Sequence, residues 1–417
     1  MGNFQVFLSI SLVSVVFADS TLRLVNLVYR HGDRSPVVIY PKDINQVDKW
    51  PQGLGWLSKL GEQEQYRLGQ WLKDRYMSTG FMNNTYRREE ILVHSSDEDR
   101  CLMSAYSNLA GLYPPDVDQQ FNPAIKWQPI PVFTRPKPED NMLNMGEYCP
   151  RYNDLLQQTL SSHAVTEEEI KNKPFYEFLG KMTGFDHENI SNIWQIADTT
   201  YCEKAHGMNV SSWINDTVFQ KLRELEAYQF TLLFYTPEMS MLKGGPLLSQ
   251  FIKNMNNKKT LKTLKTKMFM YSAHDTTVAA LLSALGLYDK KSPMYTATVI
   301  VELHEKPANN YYVNIFYKNV TDNSTAYKLT LPKCTADCPL DDFIRLTQWG
   351  VPTDWLKQCG LPPGDTPSGS STLTTGWIVA IALGCVLFIF VIATIACFVR
   401  MKRKNNPFQF GKLEVSS

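Results

Sequence analysis

From Leu22 to Tyr29 the chain is an apolar-rich run, interrupted at Arg23 and Asn26, that stops at Arg30-His31-Gly32. Such a run, closed by a glycine-containing turn, predicts a buried strand. Ile91 to Val93 predicts a short second strand, followed by Ser95-Ser96-Asp97, a helix N-cap cluster by composition. Lys267 to Ser272, rich in Met, Phe and Tyr, predicts a third strand that stops at His274-Asp275. A helix over Thr276 to Leu285 follows it. Gly61 to Tyr76 places Leu68, Trp71, Leu72 and Arg75 at helical spacing. From about Arg151 to Leu242 the pattern is mostly helical, with Phe219 to Phe234 the clearest case. Strands alternating with helices predict an α/β sheet, and 151–242 reads as a helical insertion over it. No internal repeat is visible.

The two ends carry different patterns. Phe4 to Phe17 is apolar except for Gln5 and three serines, and Val16-Phe17-Ala18 supplies small or short residues for signal cleavage, although no Lys or Arg precedes the run. Residues 1–18 therefore read as a signal peptide. Gly376 to Val399 is 24 residues without a charge, about 36 Å as a helix, more than the roughly 30 Å hydrocarbon core of a bilayer. Arg400, Lys402, Arg403 and Lys404 follow at once, which places the tail, 400–417, in the cytosol. Residues 376–399 read as one C-terminal transmembrane helix. In Gly360 to Thr375, thirteen of sixteen residues are Gly, Pro, Ser or Thr, a composition for a stalk rather than a packed segment. With the region between the ends outside the cytosol, the sequons at Asn83, Asn189, Asn209, Asn215, Asn319 and Asn323 read as glycosylation sites.

Composition narrows the classes further. The formal charge is +1, with no basic block outside the membrane flank, so nucleic acid is not expected as a partner. Six cysteines precede the stalk or adjoin it: Cys101, Cys149, Cys202, Cys334, Cys338 and Cys359. An oxidising compartment favours disulfides among them. Cys334-x-x-x-Cys338 is a natural short loop closure, and metal binding competes poorly there because no second Cys or His pair accompanies it. The residues alone leave the other pairings open.

Chemistry concentrates at the three strand ends. In Arg30-His31-Gly32-Asp33-Arg34-Ser35-Pro36 an imidazole lies between two guanidiniums. Arginine forks hold phosphate oxygens bidentately and stay charged, so the imidazole can attack phosphorus already held and neutralised. Gly32 allows close backbone approach to an anion. Ser95-Ser96-Asp97-Glu98-Asp99-Arg100 offers a third arginine at a helix start, with Asp97 and Asp99 as competing partners for it. At Ser272-Ala273-His274-Asp275-Thr276-Thr277, an adjacent His and Asp supply a phosphate donor and a proton donor side by side.

These residues resemble the histidine acid phosphatases. The likeness runs from about Leu22 to Trp355 and includes Tyr29 to Pro36, Trp50-Pro51-Gln52-Gly53-x-Gly55, Asp99-Arg100-x-Leu102-Met103-Ser104-Ala105, Trp127 to Val132, Tyr271 to Thr277 and Cys334-x-x-x-Cys338-Pro339-Leu340. It implies a doubly wound, mainly parallel α/β sheet, formed by 19–150 and 243–359, with the helical domain 151–242 inserted. It implies hydrolysis of small-molecule or protein phosphate monoesters, with His31 as nucleophile and Asp275 as proton donor. Arg30, Arg34, Arg100 and His274 are implied as phosphate ligands. No metal and no cofactor are implied, since three guanidiniums take a metal's electrostatic place. Cys149–Cys359 and Cys334–Cys338 are the implied disulfides, and a homodimer is suggested. The competing classes are a non-catalytic receptor or adhesion ectodomain and a phytase or phosphomutase of the same superfamily.

The chain departs from those relatives in several places. Cys101 stands where they carry Thr, and Thr298 stands where they carry the cysteine that bridges to the counterpart of Cys202. His94 replaces an arginine. The tail has no tyrosine sorting signal, so the lysosomal membrane and the plasma membrane are rival destinations.

Overall fold

The computed structural model describes residues 21–362 except 145–148, 187, 262 and 323. The expected signal peptide, the stalk from residue 363, the membrane span, the tail and Asn323 lie outside the described residues. Among the described residues no helix is long and apolar enough to cross a membrane.

Seven strands form one sheet among the described residues. The first three, β1 (Leu22–Arg30), β2 (Ile91–Ser95) and β3 (Met268–Ala273), are parallel, with β3 between the other two. Four more pair antiparallel: β4 (Thr298–Lys306) on β1, β5 (Asn310–Lys318) on β4, and both β6 (Tyr327–Leu329) and β7 (Cys338–Pro339) on β5. The sheet is thus mixed, and the expectation of a mainly parallel one is corrected. Parallel neighbours require long crossovers, which the helices between β1, β2 and β3 supply. Between β4 and β5 only a tight reversal is available. Ala308 and Asn309 both take positive φ there, 67° and 57°, the backbone of a hairpin turn.

The faces of β1 separate two cores by strand alternation. Leu24 and Val28 face α7 (Pro237–Thr260) and α8 (Asp275–Ala284), packing with Leu247, Leu248, Phe251, Val278 and Leu281. Val25, Leu27 and Tyr29 face α1 (Lys59–Tyr76) and α2 (Asp99–Leu112), with Leu68, Leu72, Ala105 and Leu109. Four further helices, α3 (Pro150–Leu160), α4 (His163–Thr183), α5 (Ile193–Ala205) and α6 (Asp216–Leu232), lie between β2 and α7 in sequence. α4, α5 and α6 enclose their own core around Leu179, Ile193, Ile196, Leu222 and Leu225. The insertion limit expected at Leu242 falls inside α7, whose apolar face belongs to the sheet.

Two details of the chain's punctuation differ from the sequence reading. The cap position of α2 is Glu98, whose side chain makes no cap bond; Ser95 and Ser96 instead serve the sheet edge and the site. Gly32 has a packing role beyond access to an anion. A Cβ on it would lie 2.3 Å from the Gly61 carbonyl oxygen, and one on Gly61 would lie 2.0 Å from the Asp33 oxygen. The loop after β1 and the first turn of α1 meet backbone to backbone, an approach that only glycine permits.

Cys149–Cys359 ties the start of α3 to the end of the described chain, and Cys334–Cys338 closes the turn into β7. Cys101 and Cys202 are free and buried. Of the sequon asparagines, Asn209 and Asn215 are exposed, and Asn83, Asn189 and Asn319 are half-buried. Asn215 also caps α6, accepting from the Val218 N–H at 3.0 Å.

Candidate active site

Strand register brings the three sequence clusters together. Arg30 pairs with Ala273 and Ser95 with Ser272, so His31, Ser96 and His274 emerge from adjacent parallel strands at their carboxyl ends. Ligands of open α/β sheets bind at such ends. The His31 N–H donates to the Ala273 carbonyl at 2.9 Å, and the Ser96 N–H to the Ser272 carbonyl at 2.9 Å.

His31 is 2% exposed, and its Nδ1 lies 2.8 Å from the Gly32 carbonyl oxygen. A carbonyl only accepts, so Nδ1 carries the proton and Nε2 keeps its lone pair. Burial first, then the charges of Arg30, Arg100 and Arg34, hold the imidazole well below its ordinary pKa. The site therefore presents a neutral nitrogen nucleophile in a cationic surround.

The loop that carries His31 is fixed from beneath. The Gln65 amide donates to the Arg30 carbonyl at 2.8 Å, the Gly32 N–H to Ser104 Oγ at 3.1 Å, and the Asp33 N–H to Glu64 Oε2 at 2.8 Å. Asp33 points away from the site. Its Oδ1 accepts from Ser58 Oγ at 2.5 Å and meets His206 Nε2 at 2.6 Å.

Each arginine is held by a different partner. Arg30 donates through Nη1 to the Pro293 carbonyl at 2.6 Å, pairs through Nη2 with Asp275 at 2.9 Å, and lies over the Tyr295 ring at 4.3 Å. Arg34 forks onto both oxygens of Asp198, at 2.8 and 3.0 Å. Arg100 pairs with Glu98 at 3.2 Å, rather than with Asp97 or Asp99, and reaches His274 Nδ1 at 3.4 Å. In all three the buried Nε–H has no hydrogen-bond partner. A buried donor left unpaired costs about 1–3 kcal/mol, so three of them around one imidazole mark a cradle suited to an oxyanion.

His274 is neutral, its pKa pushed down to about 3 by burial and by Arg100. Its Nδ1 faces the Arg100 guanidinium, which can only donate, so Nε2–H donates to Ser96 Oγ at 3.0 Å. Asp275 opens α8, accepting the Thr276 N–H on Oδ1 at 2.7 Å. Burial pushes its pKa up, but Arg30, Arg34 and His274 outweigh that and hold the carboxyl below its ordinary range.

Sequence reasoning missed the contribution of the helical insertion. Asp198 and His206, at the two ends of one stretch of α5 and its cap, fix Arg34 and Asp33. The available signal was a carboxylate, Asp198, one turn before Cys202 on the same face of α5. Glu226 on α6 pairs with Arg223, which lies over the Tyr201 ring at 4.6 Å. Burial raises the Glu226 pKa to about 7. The two free thiols also border the site: Cys101 Sγ is 3.7 Å from His274 Nε2, and Cys202 Sγ is 3.4 Å from the Tyr295 hydroxyl. Burial pushes the Cys101 thiol up to about 12, so it stays protonated and unreactive.

Asp198 and Arg34 have side chains 10% and 7% exposed, and removing one member of such a buried pair strands the other. Asp198→Ala is expected to lower unfolding stability by about 3–5 kcal/mol, read as a fall in the urea midpoint. An unchanged midpoint would mean that the fork contributes nothing to the fold.

Residues 21–318 match the Histidine phosphatase superfamily (branch 2), and the chain belongs to that family. Within it, the chain is 41% identical over 388 residues to the lysosomal acid phosphatase of Bos taurus, covering 92% of this chain and 89% of that one. It is 38% identical over 343 residues to the prostatic acid phosphatase of Homo sapiens, with 81% and 88% covered. Among solved structures, the phytase of Hafnia alvei in complex with tartrate superposes with a TM-score of 0.64 at 18% identity, over 83% of this chain and 100% of that one. That likeness is one of fold.

Proposed function

We propose that this acid phosphatase hydrolyses phosphate monoesters through a phosphohistidine on His31. The observation that carries the reading is the imidazole itself, tied at Nδ1 to the Gly32 carbonyl and free at Nε2, among three arginines. Nε2 attacks phosphorus, forming a P–N bond as the ester P–O bond breaks. Asp275 gives its proton to the departing alkoxide. Water then attacks the phosphohistidine, Asp275 takes a proton from it, and inorganic phosphate leaves as His31 is regenerated. Arg30, Arg34 and Arg100 stabilise the equatorial oxygens, where charge must be held in the transition state. A bound dianion favours a protonated His274, which then offers a second N–H to the phosphoryl group. No step calls for a metal or cofactor.

Two opposing demands set the pH dependence. Asp275 is held in its ionised form by Arg30, so its acid role gains from low pH and from the negative charge of bound substrate. His31 has a depressed pKa and stays unprotonated into the acid range. Turnover of p-nitrophenyl phosphate by residues 19–365 is expected to peak on the acid side of neutrality and to fall on both limbs. Absence of turnover at every pH would favour the receptor or adhesion alternative.

The chain is further read as a glycoprotein anchored by residues 376–399, with its catalytic domain outside the cytosol. The two disulfides suit an oxidising compartment, and the resemblance to lysosomal acid phosphatases favours the lysosomal membrane over the plasma membrane.

A further inference from the structure

Arg100 marks the mouth of the site as its most exposed arginine, with a side chain 19% exposed against 9% for Arg30 and 7% for Arg34, and its surroundings are uneven. On one side, Gly55 lies against its guanidinium: a Cβ on that residue would be in ordinary contact, 4.0 Å from Nη1 and 3.9 Å from a Val37 methyl. Val37 and Trp56 are exposed on the same wall. On the other side stands Glu98. Its Oε2 pairs with Arg100 at 3.2 Å and its Oε1 with Lys137 Nζ at 2.5 Å. Lys137 comes from a separate turn, Lys137–Glu139, so the ion triad joins the start of α2 to the loop that follows α2 in the chain. Glu98 is also near enough to bias the His274 proton. Partial burial raises the Glu98 pKa, but Lys137 and Arg100 more than offset this, and the carboxylate stays charged in acid.

We propose that Glu98 is a specificity-determining residue, an anionic guard at the mouth that selects monoesters of neutral or cationic alcohols over those whose leaving group carries further negative charge. The inference rests on the phosphatase reading of the site above. A phosphoryl group passes Glu98 to reach a cradle with three arginines, which overwhelm one carboxylate. A second anion on the leaving group stays outside that cradle, beside Glu98, and meets repulsion that Lys137 offsets only in part. Lys137 limits the effect by neutralising part of the carboxylate. Nucleoside polyphosphates and multiply phosphorylated sugars are disfavoured on this basis, and phosphomonoesters of uncharged or amine-bearing alcohols are favoured.

The test uses the whole chain and three aryl phosphates of similar shape: phenyl, 4-carboxyphenyl and 4-(trimethylammonio)phenyl phosphate, assayed at about pH 5, where carboxylates are largely ionised. Comparing variant with wild type on each substrate cancels the intrinsic reactivity of the leaving groups. Glu98→Gln is expected to raise kcat/KM for the carboxy ester relative to phenyl phosphate by about 3- to 10-fold, and to lower the trimethylammonio ratio, as one unit charge at intermediate range should. Lys137→Met, which unmasks Glu98, should move both ratios the opposite way. Half-molar NaCl should shrink both shifts by screening. Ratios unmoved within twofold in both variants, or the anionic and cationic substrates moving together, would overturn the assignment of Glu98. Wild type inactive on all three substrates would instead refute the phosphatase reading itself.

Discussion

His31→Ala is expected to abolish turnover, with kcat falling on the order of 10⁴–10⁶-fold, as when other covalent nucleophiles are removed. The reason is specific to this pocket. Neither the other imidazole nor the neighbouring thiol can take its place: His274 has Nδ1 turned to Arg100 and Nε2–H turned to Ser96, and burial keeps the Cys101 thiol protonated. Alkali-quenched labelling with a radioactive phosphate ester should trap phosphate on the wild-type enzyme in an acid-labile, base-stable linkage, and none on the variant. The variant should still bind inorganic phosphate, because its arginines are held by Asp275, Asp198 and Glu98 rather than by His31. Label recovered on serine or cysteine, or a variant that retains substantial turnover, would overturn the mechanism.

Asp275→Asn is expected to cost about 10²–10⁴-fold, the range for loss of general acid–base catalysis, and the loss should depend on the leaving group. An alkyl ester such as β-glycerophosphate needs its alkoxide protonated, whereas p-nitrophenolate leaves with little help. Asparagine keeps the shape and one acceptor, enough for either the Arg30 or the Thr276 contact, but has no proton to give at working pH. The alkyl ester should therefore suffer far more, and the alkaline limb of its pH profile should flatten. The sign follows from the shift: Arg30 favours the carboxylate in the free enzyme, so raising the pH removes the needed proton in wild type and changes nothing in the variant. Equal losses on both esters would assign Asp275 a role in position or charge and place the proton elsewhere.

Much of this site was legible along the chain because its chemistry is local. Arg30, His31 and Arg34 lie within one turn after an apolar run, and a buried strand that stops at charged residues marks the functional edge of an α/β sheet whatever follows it. His274-Asp275 could be read the same way. Strand identity came from runs of apolar residues, and these survive in β1, β2 and β3 with shifts of a residue or two at their ends. The membrane and leader signals are likewise properties of composition over short windows.

Other decisions needed the tertiary structure. Whether β4 to β6 continue the parallel order or turn back depends on backbone twist at Ala308 and Asn309 and on which edge of β1 remains free, and neither is encoded in apolar periodicity. The reason for Gly32 is a contact with Gly61, twenty-nine positions away in the chain and adjacent only once α1 has docked. Arg100 chose Glu98 over its nearer-looking rivals because side-chain direction at a helix start is set by the loop packed on it. Above all, the fork between Arg34 and Asp198 joins residues 164 positions apart. By itself the sequence determined which groups could react, since that is written in side-chain chemistry and local spacing. The tertiary structure decided which charges answer one another, because a buried ion pair is chosen by three-dimensional proximity and by the exclusion of water, and neither follows from order along the chain.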